Sequence, residues 1–420
     1  MARGTIIARD IRVDGDGATT LFSCEVAADG AGLPSRLWFR FPSDVAPLID
    51  PGGSAFVPIL VLVAMRLHQD LHIEGEVSPE LLRSVPRLMA IYADWSRDFE
   101  PLWRVKVTAA TAANPPRGNS AAAFFSCGLD STFTLLKNVK RYPPGDARLL
   151  SHLLIVHGFD VHIDDELLFE QLLERGRRVA DAYGKRLVPV ATNAREGGFR
   201  CVDWQHYGHG PGLASVGLAL GRGFHTIYIP ATDDALHLDP WGSHPAVDPL
   251  WSTETVEFVH DGLEARRVDK VRYISQVPLF LSTLRVCMSG RRGVYNCGKC
   301  VKCLRGMVEF DLLGTLHRSE TFPTRLDLGD VTNLAIPADR TRRYWMDLRH
   351  WAHDLGRAEI VAAIDTAIAR SRRADYEWLA PCAPVLTKLG VTSERLRRLK
   401  RGVLRRLSKA PSPTEIKADR

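Results

Sequence analysis

The sequence predicts an α/β protein: a Rossmann-like parallel sheet carrying a zinc knuckle, preceded by a β-rich N-terminal domain and followed by a helical C-terminal region. Three observations carry that expectation. From Ala121 onward, apolar strand-like runs alternate with helical stretches, the order that builds parallel sheets covered by helices. Ahead of it, "TIIARDIRV", "TTLFSCEVAA" and "SRLWFRFP" alternate apolar and polar residues between Gly/Asp-rich turns, the period of half-buried strands. Four of the eight cysteines crowd between Cys287 and Cys303. The expected segments are 1–115, 116–315 and 316–420.

Taken in order, the N-terminal strands are followed by a helix over "SPELLRSVPRLMAIYADW", with Ser78 as its cap and Pro79 at the first helical position. "ANPPRGNS" (Ala113 to Ser120) then breaks the pattern with prolines, glycine and polar residues, which places a domain boundary there. The strands "AAAFFS", "HLLIVHG", "RLVPVAT" and "HTIYIPA" alternate with helices from Leu129, through "DELLFEQLLERGRRVADAYG" and near "GLASVGLALGRG". Ligands of such sheets bind beyond the carboxyl ends of the strands, so the residues just after each strand are the candidates.

Composition excludes several classes. Charged residues are 25% and hydrophobic ones 45%, an ordinary globular balance. Net charge is +6, but residues 391–420 alone carry +7 and leave −1 on the rest; the body is therefore not a basic nucleic-acid-binding protein. The most apolar stretch, "AFVPILVLVAM", falls short of the ~20 residues a spanning helix needs, and no export signal is evident at Met1. Clustered cysteines without such a signal fit metal binding in a reducing cytoplasm better than disulfides.

The turn "SCGLDS" stands between the first strand and first helix of the α/β region. Small residues there let backbone N–H groups approach an anion, and the helix N-terminus adds a favourable dipole. Ser126 and Ser131 each offer a hydroxyl, Gly128 removes an obstructing Cβ, and Cys127 and Leu129 complete the cradle. Asp130 suits either helix capping or a Mg²⁺ that bridges phosphates. The Walker pattern GxxxxGK(S/T) is absent. The turn resembles the SGGxDS signature of the PP-loop ATP pyrophosphatase family, with Cys127 in place of the second-position glycine. Members cleave ATP between the α- and β-phosphates, which implies that pyrophosphate sits in this turn.

Cys287, Cys297, Cys300 and Cys303 are spaced C-x9-C-x2-C-x2-C. Four thiolates satisfy the tetrahedral preference of structural zinc, with an Fe–S cluster as the alternative. Lys299, Lys302 and Arg305 are read as offsetting the charge of that site. Together with the turn, this arrangement looks like 7-cyano-7-deazaguanine synthase, the zinc-containing PP-loop enzyme of queuosine-precursor synthesis, over about Ala121 to Leu313. The resemblance implies an active-site role for Lys270, within "DKVRYISQVPLFLSTLRVC". Two segments depart from it. "HGPGLA" (His209 to Ala214) stands for the family's P-x-R-N, and the stretch from Ala231 to Thr253 replaces its G-Y-P-D-C-R segment, so the base-recognition half is rewritten. Longer relatives of the synthase serve in bacterial antiviral defence, where attachment of a deazaguanine to a protein partner is implied.

Other residues stay open between two readings. His157 and Asp160, after the second strand, contact adenosine or substrate, or cap their loop. Asp233, in "TDD" after the fourth strand, serves Mg²⁺ or a substrate amine, or belongs to a solvated turn. Trp241 and Trp251 stack a planar substrate or pack in the core. Cys201, near His206 and His209, is a sulfur carrier or a small apolar residue. Leu396, Leu399, Val403 and Leu407 line one face of a basic C-terminal helix that packs on the domain or touches RNA, DNA, an acidic partner or anionic lipid.

The expected function is ATP-dependent adenylation of a carboxylate, with ATP, Mg²⁺ and Zn²⁺ as cofactors, followed by amide or nitrile formation. A tRNA-modifying or thiolating enzyme and a non-catalytic nucleotide-binding scaffold are the alternatives. Expected partners are the carboxylate (a 7-deazaguanine), a protein acceptor, nucleic acid through the C-terminal helix and a second copy of the chain, with no membrane.

Overall fold

A computed structural model describes residues 4–28, 33–97, 101–111, 117–336 and 340–377. The chain divides into two compact units, up to Leu326 and from Asp327 on.

In the first unit the expected N-terminal strands form as β1 (Thr5–Gly15), β2 (Thr19–Ala27) and β3 (Arg36–Pro42). Their alternation buries Phe22, Leu37, Phe39 and Phe41, and the rings of Phe22 and Phe39 pack on Phe56 at 5.0 and 5.8 Å. The apolar stretch at 55–65 contributes α1 (Val57–Leu67), an 11-residue helix buried along nearly its whole length. Among the described residues no helix is long and apolar enough to cross a membrane. There follow β4 (Asp70–Val77), α2 (Pro79–Trp95) and β5 (Val107–Thr111). Ser78 caps α2 as expected, its Oγ accepting from Leu81 N at 3.1 Å.

The α/β part runs β6 (Ser120–Phe124), α3 (Leu129–Arg141), β7 (Leu150–His157), α4 (Glu166–Ala182), β8 (Arg186–Thr192), α5 (His209–Ala219), β9 (Phe224–Pro230) and β10 (Glu257–Asp261). It continues into α6 (Arg267–Ile274), α7 (Pro278–Thr283) and α8 (Val301–Leu312). All ten strands belong to one sheet, in the order β10-β9-β6-β7-β8-β3-β2-β1-β4-β5. The first five are mutually parallel. The chain steps from β6 outward to β8, then returns to lay β9 on the other side of β6. The crevice between the carboxyl ends of β6 and β9 is thus the switch point at which such sheets bind ligands.

The boundary expected at 115 does not separate two compact units. β3 pairs antiparallel with β8 through Phe39↔Thr192 and Arg40↔Ala191. Asn193 reinforces the seam, its Oδ1 accepting from Trp38 N at 3.0 Å and its Nδ2 donating to Arg36 O at 2.9 Å. These partners lie some 155 residues apart in the chain, so no local composition signals the join. The division near 315 falls instead at Leu326/Asp327.

The second unit is helical as expected: α9 (Leu328–Thr332), α10 (Arg340–Asp354) and α11 (Ala358–Glu377). Trp345, Leu348 and Trp351 are buried on α10, as are Ile360, Ile364 and Ile368 on α11. Arg349 bridges the two helices by donating to both oxygens of Asp365 at 2.6 and 2.9 Å. The basic C-terminal helix and Cys382 lie outside the described residues.

Candidate functional site

The turn after β6 is built on one unusual backbone angle. Cys127 has φ +53, the left-handed region that costs a residue with a Cβ about 1–2 kcal/mol. Its side chain is buried against the Tyr295 hydroxyl. Burial, only partly opposed by that hydroxyl and by Arg285 and Arg175, pushes the thiol up to about 12. A Cβ on Gly128 would meet Ser126 Oγ at 2.9 Å and force that hydroxyl to move. Ser131 closes the turn: its Oγ donates to Gly128 O at 3.1 Å and accepts from Ser126 N at 3.3 Å. Leu129 is buried and opens α3.

Asp130 does not cap α3. Its Oδ1 accepts from Lys270 Nζ at 3.2 Å, and the same ammonium donates to Ala231 O at 2.6 Å. Lys270, 140 positions further along the chain, is buried to 1% exposure at its side chain, against 22% for Asp130. The pair therefore stitches the carboxyl end of β9 to the turn after β6 and leaves the carboxylate facing the crevice. Lys302 lies within electrostatic range of both Asp130 and Asp160, with Arg305 and Arg267 beside it. Arg267 is itself held in a buried two-pronged bond to Glu309, at 2.7 and 3.0 Å. Lys302, which the sequence assigned to the cysteine cluster, is thus also coupled electrostatically to Asp130 and Asp160. Arg285 is buried with its Nε unpartnered, and nothing in local pattern points to it.

The four cysteine Sγ atoms all lie within 4.8 Å of one another, with Cys287–Cys300 at 4.0 Å and Cys297–Cys303 at 3.9 Å. Thiolates bonded to one zinc at about 2.3 Å stand about 3.8 Å apart in a tetrahedron, so the set can hold one zinc ion. Backbone N–H groups of Ser289, Lys299 and Cys300 point at the sulfurs, as expected where negative charge collects. Gly298 makes the knuckle turn with φ +66.

The knuckle is hard-wired to the turn. Asn296 Oδ1 accepts from Val286 N at 3.0 Å and Cys287 N at 3.1 Å, and its Nδ2 donates to Leu284 O at 2.8 Å. Tyr295 donates to Thr283 O at 2.6 Å, with the Arg175 guanidinium 4.3 Å above its ring. The segment so clamped holds the turn through Arg285 N, which donates to Cys127 O at 2.9 Å.

The remaining candidates divide. His157 stacks on Phe169 at 4.2 Å and donates through Nε2 to His162 O at 2.8 Å; burial pulls its pKa down. Its ring serves the loop, and the contact role does not follow. Asp160 is exposed beyond β7. Asp234 caps its own turn, accepting from Leu236 N at 3.0 Å, whereas Asp233 is buried near His244. Trp251 is fully buried, a core residue. Trp241 stays half-buried, with His206 edge-on at 4.9 Å and His209 at 6.1 Å. Cys201 is half-buried; His206 engages Asp203 at 2.8 Å and His209 the Gln205 carbonyl at 3.2 Å.

Comparison with protein-family models, with curated proteins and with solved structures finds no match to this chain.

Proposed function

We propose that this protein is an ATP-dependent adenylating enzyme of the PP-loop pyrophosphatase type, related to 7-cyano-7-deazaguanine synthase, and that its substrate is a carboxylate of the 7-deazaguanine class. The observation that carries this reading is the Ser126–Ser131 turn, set at the switch point of the sheet, with Lys270 bonded to its Asp130 and Lys302 within electrostatic range of the same carboxylate. A triphosphate needs such a cationic surround, and a helix N-terminus adds to it.

In this reading the Ser126–Ser131 turn binds the β- and γ-phosphates. Lys270 is held by Asp130 and Ala231 where charge builds on the departing pyrophosphate, so it stabilises that charge without reorganising. Asp130 and Asp160 are the carboxylates offered to Mg²⁺, which supplies charge neutralisation when bound. The substrate carboxylate attacks the α-phosphate to give an acyl-adenylate, and an amine then displaces AMP. Cys287, Cys297, Cys300 and Cys303 hold zinc structurally, since four thiolates leave no open position for chemistry.

The test is exchange of labelled pyrophosphate into ATP, dependent on 7-carboxy-7-deazaguanine. Wild-type protein exchanges, and Asp130→Ala and Ser131→Ala lose about 10²-fold or more, as removal of transition-state contacts does. Exchange that is absent from wild type, or unchanged in both variants, sinks the reading.

A further inference from the structure

β10 carries a second constellation, on the face of the sheet turned away from α3. Strand alternation sends Asp261 towards α3, where its carboxylate accepts from Thr134 Oγ1 at 2.8 Å and Lys137 Nζ at 2.7 Å. Its neighbour His260 therefore points to the other face. There His260 Nδ1 lies 2.7 Å from Asp248 Oδ2, and Ser243 Oγ donates to the same oxygen at 2.6 Å. The Asp248 side chain is fully buried and that of His260 is 6% exposed. A buried carboxylate is costly unless it is bonded, and here it orients the imidazole: with Nδ1–H turned to Asp248, a neutral ring presents its lone pair at Nε2.

Nε2 makes no hydrogen bond with any described residue, and it is not one of the buried polar atoms left without a partner. Ser243 sits at the Nδ1 side of the ring, 3.5 Å away, so it is not a nucleophile activated by this histidine. What the arrangement offers is an oriented base. Its place suits that use. Asp261 O accepts from Ala231 N at 2.7 Å, and Ala231 O in turn holds Lys270. His244 and, through it, Asp233 and Asp239 lie on the same side.

We propose that His260, oriented by Asp248, is the general base of the second half-reaction; this rests on the adenylation reading above. An amine nitrogen attacks the acyl carbon, and the new C–N bond forms as the bond from that carbon to the phosphate oxygen breaks. AMP leaves with the electron pair of that bond. The proton shed by the attacking nitrogen goes to His260 Nε2.

The experiment compares wild type, His260→Gln and Asp248→Asn with ATP, 7-carboxy-7-deazaguanine and either ammonium or hydroxylamine. Hydroxylamine is largely unprotonated at neutral pH and needs no base to capture an acyl-adenylate. Both variants lose about 10²–10⁴-fold in ammonium-dependent amide formation, the range for a general base. Their pyrophosphate exchange and hydroxylamine capture stay within about threefold of wild type, which also reports an intact fold. Ammonium-dependent amide formation that survives in His260→Gln overturns the role. So does an equal loss with hydroxylamine, which marks a merely structural residue. Absence of exchange in wild type overturns the adenylation reading itself, and this role falls with it.

Discussion

At the scale of single residues, Cys127 shows how a position can be read for chemistry and missed for geometry. Its φ of +53 favours glycine, while its buried side chain fills the space before Tyr295. In Cys127→Gly the relief of about 1 kcal/mol in backbone strain is offset by about 1 kcal/mol of lost burial. That variant therefore melts within a few degrees of wild type. Cys127→Val, β-branched at the same angle, is destabilised by about 2 kcal/mol or more and melts several degrees lower. Thermal unfolding of the two checks this, and a valine variant as stable as wild type contradicts the strain. The placing of Gly128 and Ser131 in the turn was legible because small residues between a strand and a helix mark it, and the resemblance pointed to Lys270, which does reach Asp130. His157 and Trp251 were not, since stacking on Phe169 and burial in the core are contacts made across the fold.

At the scale of elements, strands with one wet face and helices with one apolar stripe declared themselves, so β1–β3, α2 and the alternation from β6 to β9 follow from pattern. α1 did not. Its residues are apolar all round and buried from Val57 to Met65, and a run without a polar face has no period to read. The knuckle was legible as a metal set, but its coupling to the turn was not, because that depends on Asn296, Tyr295 and Arg285 backbone and side-chain bonds. The coupling makes a prediction. Removing the metal with a chelator, or substituting Cys300→Ser, frees the 283–287 segment. The amides of residues 125–131 then lose hydrogen-exchange protection and, on the proposed function, ATP affinity falls about tenfold or more as the binding-competent turn becomes a minor state. Chelated protein with unchanged protection across the turn would refute it.

At the scale of the whole molecule, the N-terminal strands belong to the same sheet as the strands that carry the Ser126–Ser131 turn, and they also hold the segment that departs most from the synthase pattern. Glu254 accepts from Ser78 Oγ at 2.6 Å and from Glu80 N at 2.8 Å, fastening the end of the stretch after β9 to the start of α2. Tyr92 on α2 packs on the buried Trp251, at 6.5 Å between rings, one turn from the Asp248 that orients His260. Removing residues 1–115 strips β3 from the edge of β8, exposes the apolar faces of α5 and Trp251, and leaves Glu254 without its partners. The lost contacts belong to a continuous core that includes Phe22, Phe39, Val188, Val216 and Trp251. A fragment beginning at 116 therefore does not fold as a separate domain: it is insoluble or lacks a cooperative melt. Conversely, the intact chain up to Leu326 unfolds in one transition detected alike at Trp38 and Trp251. A fragment that melts cooperatively and exchanges pyrophosphate would show that the β8–β3 seam is only a docking surface, and that the prolines near 115 do mark a boundary between independent folding units.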